Sequence, residues 1–415
     1  MRFIQFADSH LDSVISGALG LPDAKKAQLR DDIRRSVERA CSLAVERQAD
    51  LVLIPGDLFD FECVRPETVT FLISLFRDLA PIRIFIAPGN HDSLRPGSPY
   101  LPGSGADWPE NVHIFNLGEF ETVEIGELGC AVMGIGHAHR GITERLPALL
   151  GSAGALRLRS GQASPSPINI LIFHGSRDGH RPAEKENVIP FSDKELAAQG
   201  FAYAAVGHYH SFVQILRQAQ DDLRASTGLS MAQDDGVIGA YSGCVQGRGL
   251  DETGEKVAIV GEIDPDGCVR LEAVEVAERR IVAVEVDLTG ASTAAAALAR
   301  IENAIAGSGA RERDIVNVSA RGALAPGVEP DAAGLESTDR YFHVRVDWSR
   351  LERDYDLSAL VSDSAAAPLR SAFARRMIEL KNAARDEEEA GILADAVYYG
   401  LAALDGRHLE PRDVD

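Results

Sequence analysis

The chain has 415 residues, with 63 Asp and Glu against 42 Lys and Arg, giving a formal net charge of −21. Such a length suits two or three domains of about 100–200 residues, each able to build a core without a disulfide or metal staple. The charge excludes a broadly basic surface that grips nucleic acid by electrostatics alone, so handling phosphate would require a local cationic device.

The acidity is spread along the chain: residues 1–280 carry −12 and residues 281–415 carry −9, so no segment reads as a basic arm. Five widely spaced cysteines (Cys41, Cys63, Cys130, Cys244, Cys268) form no Cys-x-x-Cys pair, which points to buried thiols in a reducing compartment. The N-terminus reaches Asp8 and His10 too soon for a signal peptide, and no run of about 18 apolar residues exists. The expected location is cytoplasmic, with no membrane span.

Short apolar runs alternate with amphipathic stretches over the first 210 residues, the pattern of an α/β core. Residues 2–7 read as a strand. Leu29, Ile33, Val37, Ala40 and Ala44 then mark one apolar face of a helix over 24–47. A strand at 50–54, a helix at 67–79 and a strand at 82–86 follow. Further strands are predicted near 112–115, 121–125, 129–134, 168–173 and 202–206. Residues 152–167, rich in Ser, Gly and Pro, read as a loop. Residues 217–236 are polar and aperiodic between apolar strands at 212–216 and 237–241, which predicts a long, mobile hairpin insertion. Past residue 280 the pattern restarts with a strand at 281–288, an Ala-rich helix at 292–306 and strands at 314–320 and 341–347. Two helices, about 365–388 and 390–404, end the chain. The Asp386–Glu389 acidic run reads as a solvated helix edge or turn.

Five short segments carry chemistry, four of them directly after predicted strands. They are Asp8-Ser9-His10, Gly56-Asp57-Leu58-Phe59-Asp60, Gly89-Asn90-His91-Asp92, His174-Gly175 and Gly207-His208-Tyr209-His210. Strand ends in α/β sheets bring such residues to one edge, where ligands bind. Carboxylates, imidazoles and one amide, without thiolates, suit Mn²⁺, Fe²⁺ or Zn²⁺. Seven such groups are too many for one ion and about right for two ions clamping a phosphoryl transfer. The glycines before Asp57, Asn90 and His208 are expected to let the backbone turn sharply. Gly136-His137-Ala138-His139 also spells Gly-His-x-His, but order and strand context favour residues 207–210. His137 and His139 are then expected to be loop or edge-strand histidines near the site entrance.

With these five segments in this order, residues 1–210 resemble the calcineurin-like metallophosphoesterase superfamily. Two later stretches look like its DNA-repair nuclease branch, which contains SbcD and YhaO-type exonucleases. One runs through Tyr241-Ser242-Gly243, Gln246-Gly247-Arg248 and Glu252-Thr253-Gly254-Glu255-Lys256. The other is the tail, with Arg375-Arg376-Met377 and Tyr399–Leu404. The resemblance implies an α/β fold: a four-layer metallophosphoesterase β-sandwich flanked by helices, with a smaller C-terminal α/β accessory domain and a helical tail. It divides the chain into a nuclease domain at 1–279, a small α/β accessory domain at 280–350 that is a candidate DNA contact, and a helical region at 351–415.

By the same resemblance, Asp8, His10 and His210 hold one divalent ion, Asn90, His174 and His208 hold the other, and Asp57 bridges them. Mn²⁺ is the expected metal, with Fe²⁺ or Zn²⁺ as alternatives. His91 sits beside the ions as general acid or charge stabiliser, and Asp60 orients it. The expected reaction is two-metal hydrolysis of DNA phosphodiesters, by an exonuclease with or without endonuclease activity. The alternative is a small-molecule or cyclic-nucleotide phosphodiesterase on the same core. A non-enzymatic scaffold predicts missing ligands, yet every motif position is filled. Implied partners are DNA, an SMC-like coiled-coil ATPase contacted by the tail helices, and a second copy of the chain. The apolar faces of those helices (Leu369, Phe373, Met377, Leu380; Leu393, Val397, Leu401, Leu404) equally suit packing within the chain.

Overall fold

The computed structural model describes residues 1–116, 118–138, 141–152, 168–180, 186–217, 236–324, 328, 333–336, 339–353, 360–361 and 368–404. His139, nearly all of the 152–167 loop and all but the ends of the 217–236 insertion lie outside them. The chain divides into two units, Met1–Arg280 and Ile281–Asp415.

The first unit is built on two six-stranded sheets. In one, β1 (Arg2–Gln5), β2 (Leu51–Ile54), β3 (Arg83–Ile86) and β4 (Val112–Ile114) run parallel. In the other, β6 (Cys130–Gly134), β7 (Ile168–His174) and β8 (Tyr203–Gly207) run parallel, with β10 (Val237–Tyr241) parallel to β8. The edges of this second sheet are the antiparallel strands β5 (Glu121–Ile125) and β9 (Val213–Leu216). Strands β9 and β10 are the hairpin arms expected around the polar insertion.

Period-2 alternation divides each strand between two cores. Leu51, Leu53 and Phe85 of the first sheet meet Val132, Ile170, Ile172, Tyr203 and Ala205 of the second in one buried cluster. The opposite face of the second sheet, with Leu171, Phe173, Ala204 and Val206, packs on the short helices Leu146–Ser152 and Asp193–Ala198. The first sheet is backed by α1 (Asp23–Glu46) and α2 (Pro66–Asp78). The predicted stripe Leu29, Ile33, Val37, Ala40 and Ala44 is the buried face of α1. The result is the expected four layers, helix, sheet, sheet, helix. One polar staple crosses the interior: Gln5 Nε2 donates to Ala240 O at 2.8 Å, and its Oε1 accepts from the Tyr203 hydroxyl at 2.6 Å.

The predicted strands omit one hairpin, β11 (Val257–Ile263) and β12 (Val269–Glu275). It extends the first sheet because β11 pairs antiparallel with β1, whose other edge takes β2. Strand β1 itself stops at Gln5, short of the expected residue 7, and the chain then turns into the first motif.

The second unit has a parallel sheet of β13 (Ile281–Asp287), β14 (Ile315–Leu324) and β15 (His343–Arg353). Its apolar face packs on Ala297, Ile301 and Ile305 of the helix Ala294–Gly307. The tail helices are Pro368–Asn382 and Glu387–Leu404, so the first ends earlier, and the second starts earlier, than expected. They pack on each other through Met377, Val397 and Leu401, while Leu369 and Ile392 stay exposed. The acidic run caps the second of them, since Asp386 Oδ1 accepts from Glu389 N at 2.8 Å. No helix among the described residues is long and apolar enough to cross a membrane.

Candidate metal centre

All five motif segments reach one edge shared by the two sheets. Asp8 and His10 follow β1, Asp57 follows β2 and Asn90 follows β3 in the first sheet. His174 ends β7, and His208 follows β8 in the second. Asp8, His10, Asp57, Asn90, His174 and His208 are buried, with His210 at the rim. Ligand atoms of Asp8, His10 and His210 lie within 4.8 Å of one another, as do those of Asp8, Asp57 and His174. His174 Nε2 is 3.2 Å and His10 Nε2 3.6 Å from Asp57 Oδ2, so Asp57 stands between the two groups.

The backbone is strained where it presents these groups. Asp8 (φ 50), His10 (φ 47), Asp57 (φ 52) and His208 (φ 115) all occupy the region that disfavours side chains. The motif glycines serve two purposes. Gly56 has φ +87, the turn expected before Asp57. Gly89 and Gly207 have no positive φ and are required for space instead. A Cβ on Gly89 would run into Asp57 Oδ1, and one on Gly207 into Pro55 O.

The orientation of the imidazoles is the most telling feature. His10 Nδ1 meets Asp60 Oδ1 at 2.6 Å, and His210 Nδ1 meets Glu252 Oε1 at 2.5 Å. His174 Nδ1 meets Pro55 O at 3.0 Å, and His208 Nε2 meets Glu186 O at 2.8 Å. Each acceptor fixes the proton on the outward nitrogen, leaving a lone pair on the inward one. The inward nitrogens converge: His10 Nε2 and His210 Nε2 are 3.3 Å apart, and His208 Nδ1 and His174 Nε2 are 3.2 Å apart. Two lone pairs aimed at one point repel unless a proton or a metal cation lies between them. Asn90 completes the pattern. Its Nδ2 donates to Glu186 Oε2 at 3.2 Å, while its Oδ1 is buried with no hydrogen-bond partner among the described residues. These donors fit a divalent cation at each pair of nitrogens.

Electrostatics agree with the geometry. Burial alone would push the Asp57 carboxyl up, but His174, His10 and His91 hold it well below its ordinary value. Burial opposes charge on His174, yet Asp57 and Asp8 outweigh it and raise its pKa to about 9. The potential there is strongly negative, as a cation requires. His10 goes the other way, lowered to about 3 by burial and the nearby Arg248 charge.

His91 points to the rim, with a side chain 35% exposed. Its Nδ1 lies 3.4 Å from Asp60 Oδ1, and its backbone N–H donates to Asp57 Oδ1 at 2.9 Å. Burial disfavours its charge, but the Asp60 contact and the Asp57 field raise its pKa overall. Asp60 therefore serves two rings and lies nearer to His10 than to His91. Asp92 ties the loops together, accepting from Asp57 N, Leu58 N, Gly89 N and the Tyr100 hydroxyl.

His137 is not at the entrance. It is fully buried behind the centre, with Nε2 2.9 Å from the His174 carbonyl oxygen and Nδ1 accepting from Ile142 N. Its partner in the alternative motif, His139, lies outside the described residues. Sequence reasoning also missed Glu186, Pro55 and the role of Glu252. Glu252 had a signal, because it falls in the Glu-Thr-Gly-Glu-Lys stretch quoted for the branch.

The Calcineurin-like phosphoesterase family model matches residues 1–212. The chain belongs to that family. This phosphoesterase is 31% identical over 261 residues to the uncharacterized metallophosphoesterase YhaO of Bacillus subtilis, covering 62% of this chain and 56% of that protein. It is 22% identical over 250 residues to the DNA double-strand break repair protein Mre11 of Saccharolobus solfataricus, covering 59% and 54%. It thus spans about half the length of the curated relatives it matches. Among solved structures, TT1561 of Thermus thermophilus matches with a TM-score of 0.36 at 13% identity, over 66% of this chain and 98% of that one. Members of this family use divalent metal ions, and the converging donors above are the candidate ligands here.

Proposed function

We propose that this phosphoesterase is a divalent-metal-dependent DNA nuclease, and that Asp8, His10, His210, Asn90, His174, His208 and the shared Asp57 hold two cations. The observation that carries the metal-dependent reaction is the convergence of four imidazoles whose outward nitrogens are all occupied by acceptors. When bound, two divalent ions supply Lewis-acid neutralisation of the phosphoryl oxygens and an activated water. The chain's own residues do the rest. Asp8 and Asp57 fix the negative potential and accept backbone N–H groups of His208 and His91, which orient both carboxylates. His91, with its raised pKa and rim position, is the group placed to deliver a proton to the departing sugar oxygen. Asp60 holds that ring and His10 together.

The choice of DNA rests on likeness to the Mre11 repair protein and on the resemblance of residues 241–256 and of the YhaO-like tail to the DNA-repair nuclease branch. Mn²⁺ is the proposed metal, cytoplasm the proposed location, and an SMC-like ATPase and a second copy of the chain the proposed partners. The test is a nuclease assay on end-labelled single- and double-stranded DNA with a panel of Mn²⁺, Fe²⁺, Zn²⁺ and Mg²⁺. Metal-dependent cleavage that Asp57→Ala abolishes is expected. Hydrolysis of bis-p-nitrophenyl phosphate without any cleavage of DNA would refute the nuclease reading in favour of a small-molecule phosphodiesterase.

A further inference from the structure

The family match ends at residue 212, yet the segment 243–256 encloses one of the centre's histidines on several sides. Glu252 Oε1 accepts from His210 Nδ1 at 2.5 Å. Lys256 Nζ donates to the His210 carbonyl oxygen at 3.0 Å, and a Cβ on Gly243 would come within 2.9 Å of that oxygen. Glu252 is itself locked. Its Oε1 also accepts from Arg248 Nη2 at 2.9 Å, and its Oε2 accepts from Arg248 N at 2.6 Å. Arg248 Nη1 in turn donates to Ser13 Oγ at 2.9 Å, on the loop that carries His10. The side chains of Glu252 and Arg248 are 5% and 12% exposed.

We propose that Glu252, clamped by Arg248, is the positioning residue that sets the cation affinity of the Asp8–His10–His210 half of the centre. The inference rests on the two-cation reading above. A carboxylate on Nδ1–H does two things for a ligating imidazole: it holds the tautomer with the lone pair on Nε2, and it makes that lone pair more basic. His208 and His174 have neutral backbone carbonyls in the same place. The two halves of the centre therefore differ in their support, since His10 and His210 are both backed by carboxylates while His174 and His208 are backed by neutral carbonyls. Arg248 keeps Glu252 ionised and rigid, and through Ser13 it links the His210 side of that half to the His10 loop. A buried guanidinium with both Nη groups engaged is built to hold a carboxylate, which separates this role from that of a surface arginine that meets substrate.

The experiment uses the full chain, stripped with chelator and titrated with Mn²⁺, with free Mn²⁺ read by electron paramagnetic resonance. The wild-type chain is expected to bind two ions. Glu252→Gln keeps size and an acceptor but loses the charge; it should weaken one ion by about 10- to 100-fold and leave the other unchanged. The double variant Arg248→Met with Glu252→Met removes both charges, so no unpaired ion stays buried, and should show the same selective loss. Melting curves of the chelated proteins verify that each variant is folded. Two ions with unchanged affinity in Glu252→Gln would overturn the positioning role. So would a loss of substrate affinity in Arg248→Met with both ion affinities intact. Fewer than two ions in the wild type would instead refute the two-cation reading beneath it.

Discussion

Replacing Gly207 with alanine puts a methyl group where the two sheets meet. Gly207 ends β8, one residue before His208, and the new Cβ would overlap the Pro55 carbonyl oxygen. It would also lie 2.9 Å from both Pro55 C and His174 Nδ1, where ordinary contact begins at 3.4 Å. The Pro55 carbonyl oxygen must retreat by more than about 1 Å in an interior packed like a crystal. Overpacking of this kind costs about 1–3 kcal/mol, and a backbone obstacle on one side with a strand on the other places Gly207→Ala at about 3 kcal/mol. For a unit of this size that lowers the melting temperature by about 6–12 °C. The displaced carbonyl is also the acceptor for His174 Nδ1–H, so cation affinity should fall together with stability. The assay is thermal denaturation of the chelated protein followed by Mn²⁺ titration. Gly126→Ala is the control: it has nothing within 4 Å and should shift stability by less than about 0.5 kcal/mol. If both variants melt with the wild type and bind ions equally, the claim that Gly207 is required for space is wrong.

Three further outcomes are expected. His91→Gln should lower kcat on DNA by about 10²- to 10⁴-fold without changing Mn²⁺ affinity. The loss should be much smaller on bis-p-nitrophenyl phosphate, whose leaving group needs no proton, and equal losses on both substrates would exclude a general-acid role. Chelation should abolish hydrolysis, and each ion at 100 times its dissociation constant should stabilise the fold by about 2.7 kcal/mol, read as a rise in melting temperature. Identical melting curves with and without Mn²⁺ would contradict ion binding by the native state. Gln5→Leu leaves the Tyr203 hydroxyl unpaired between the sheets and should cost about 1–3 kcal/mol. Adding Tyr203→Phe should recover part of that cost in a double-mutant cycle, and strict additivity would show that the pair is not coupled.

The centre was legible in the sequence to the extent that chemistry sits on side chains after strands. Asp8, Asp57, Asn90, His174 and His208 each follow or end an apolar run, and parallel strands bring such positions to one edge. What holds those side chains in place was much less legible. Two of the four histidine acceptors are backbone carbonyls, of Pro55 and Glu186, and any residue type offers a carbonyl. The other two, Asp60 and Glu252, lie 50 and 42 positions from the rings they hold, a pairing that only the folded chain discloses. The glycines show the same limit. A Gly before a ligand looks alike in all three motifs, yet Gly56 answers a backbone angle while Gly89 and Gly207 answer crowding from other strands. The hairpin β11–β12 escaped for a related reason, because its place beside β1 joins residues some 255 positions apart.

Strain and charge at the centre have a common explanation on the two-cation reading. Asp8, His10, Asp57 and His208 are held at positive φ, each at a cost of about 1–3 kcal/mol, and the two carboxylates are at most 1% exposed. A protein under no constraint other than stability would relax such a site. Here the surroundings prevent it: Asp8 is pinned by the His208 N–H, and Asp57 by the His91 N–H and two imidazoles. The acidity of the chain is therefore not only a diffuse surface property. A small part of it is buried and aimed at the point where imidazole lone pairs converge, where solvent ions screen it far less than charge on the surface. A chain with net charge −21 repels a phosphodiester at long range, and Lys or Arg placed among these carboxylates would only neutralise them. Divalent cations do more, because two of them carry more positive charge than Asp8 and Asp57 carry negative, so the centre turns attractive to phosphate only once loaded. DNA affinity should accordingly rise with Mn²⁺ and fall on chelation, even in an Asp57-intact, His91→Gln protein that cleaves slowly. Equal DNA binding in both states would show that the phosphate is held elsewhere.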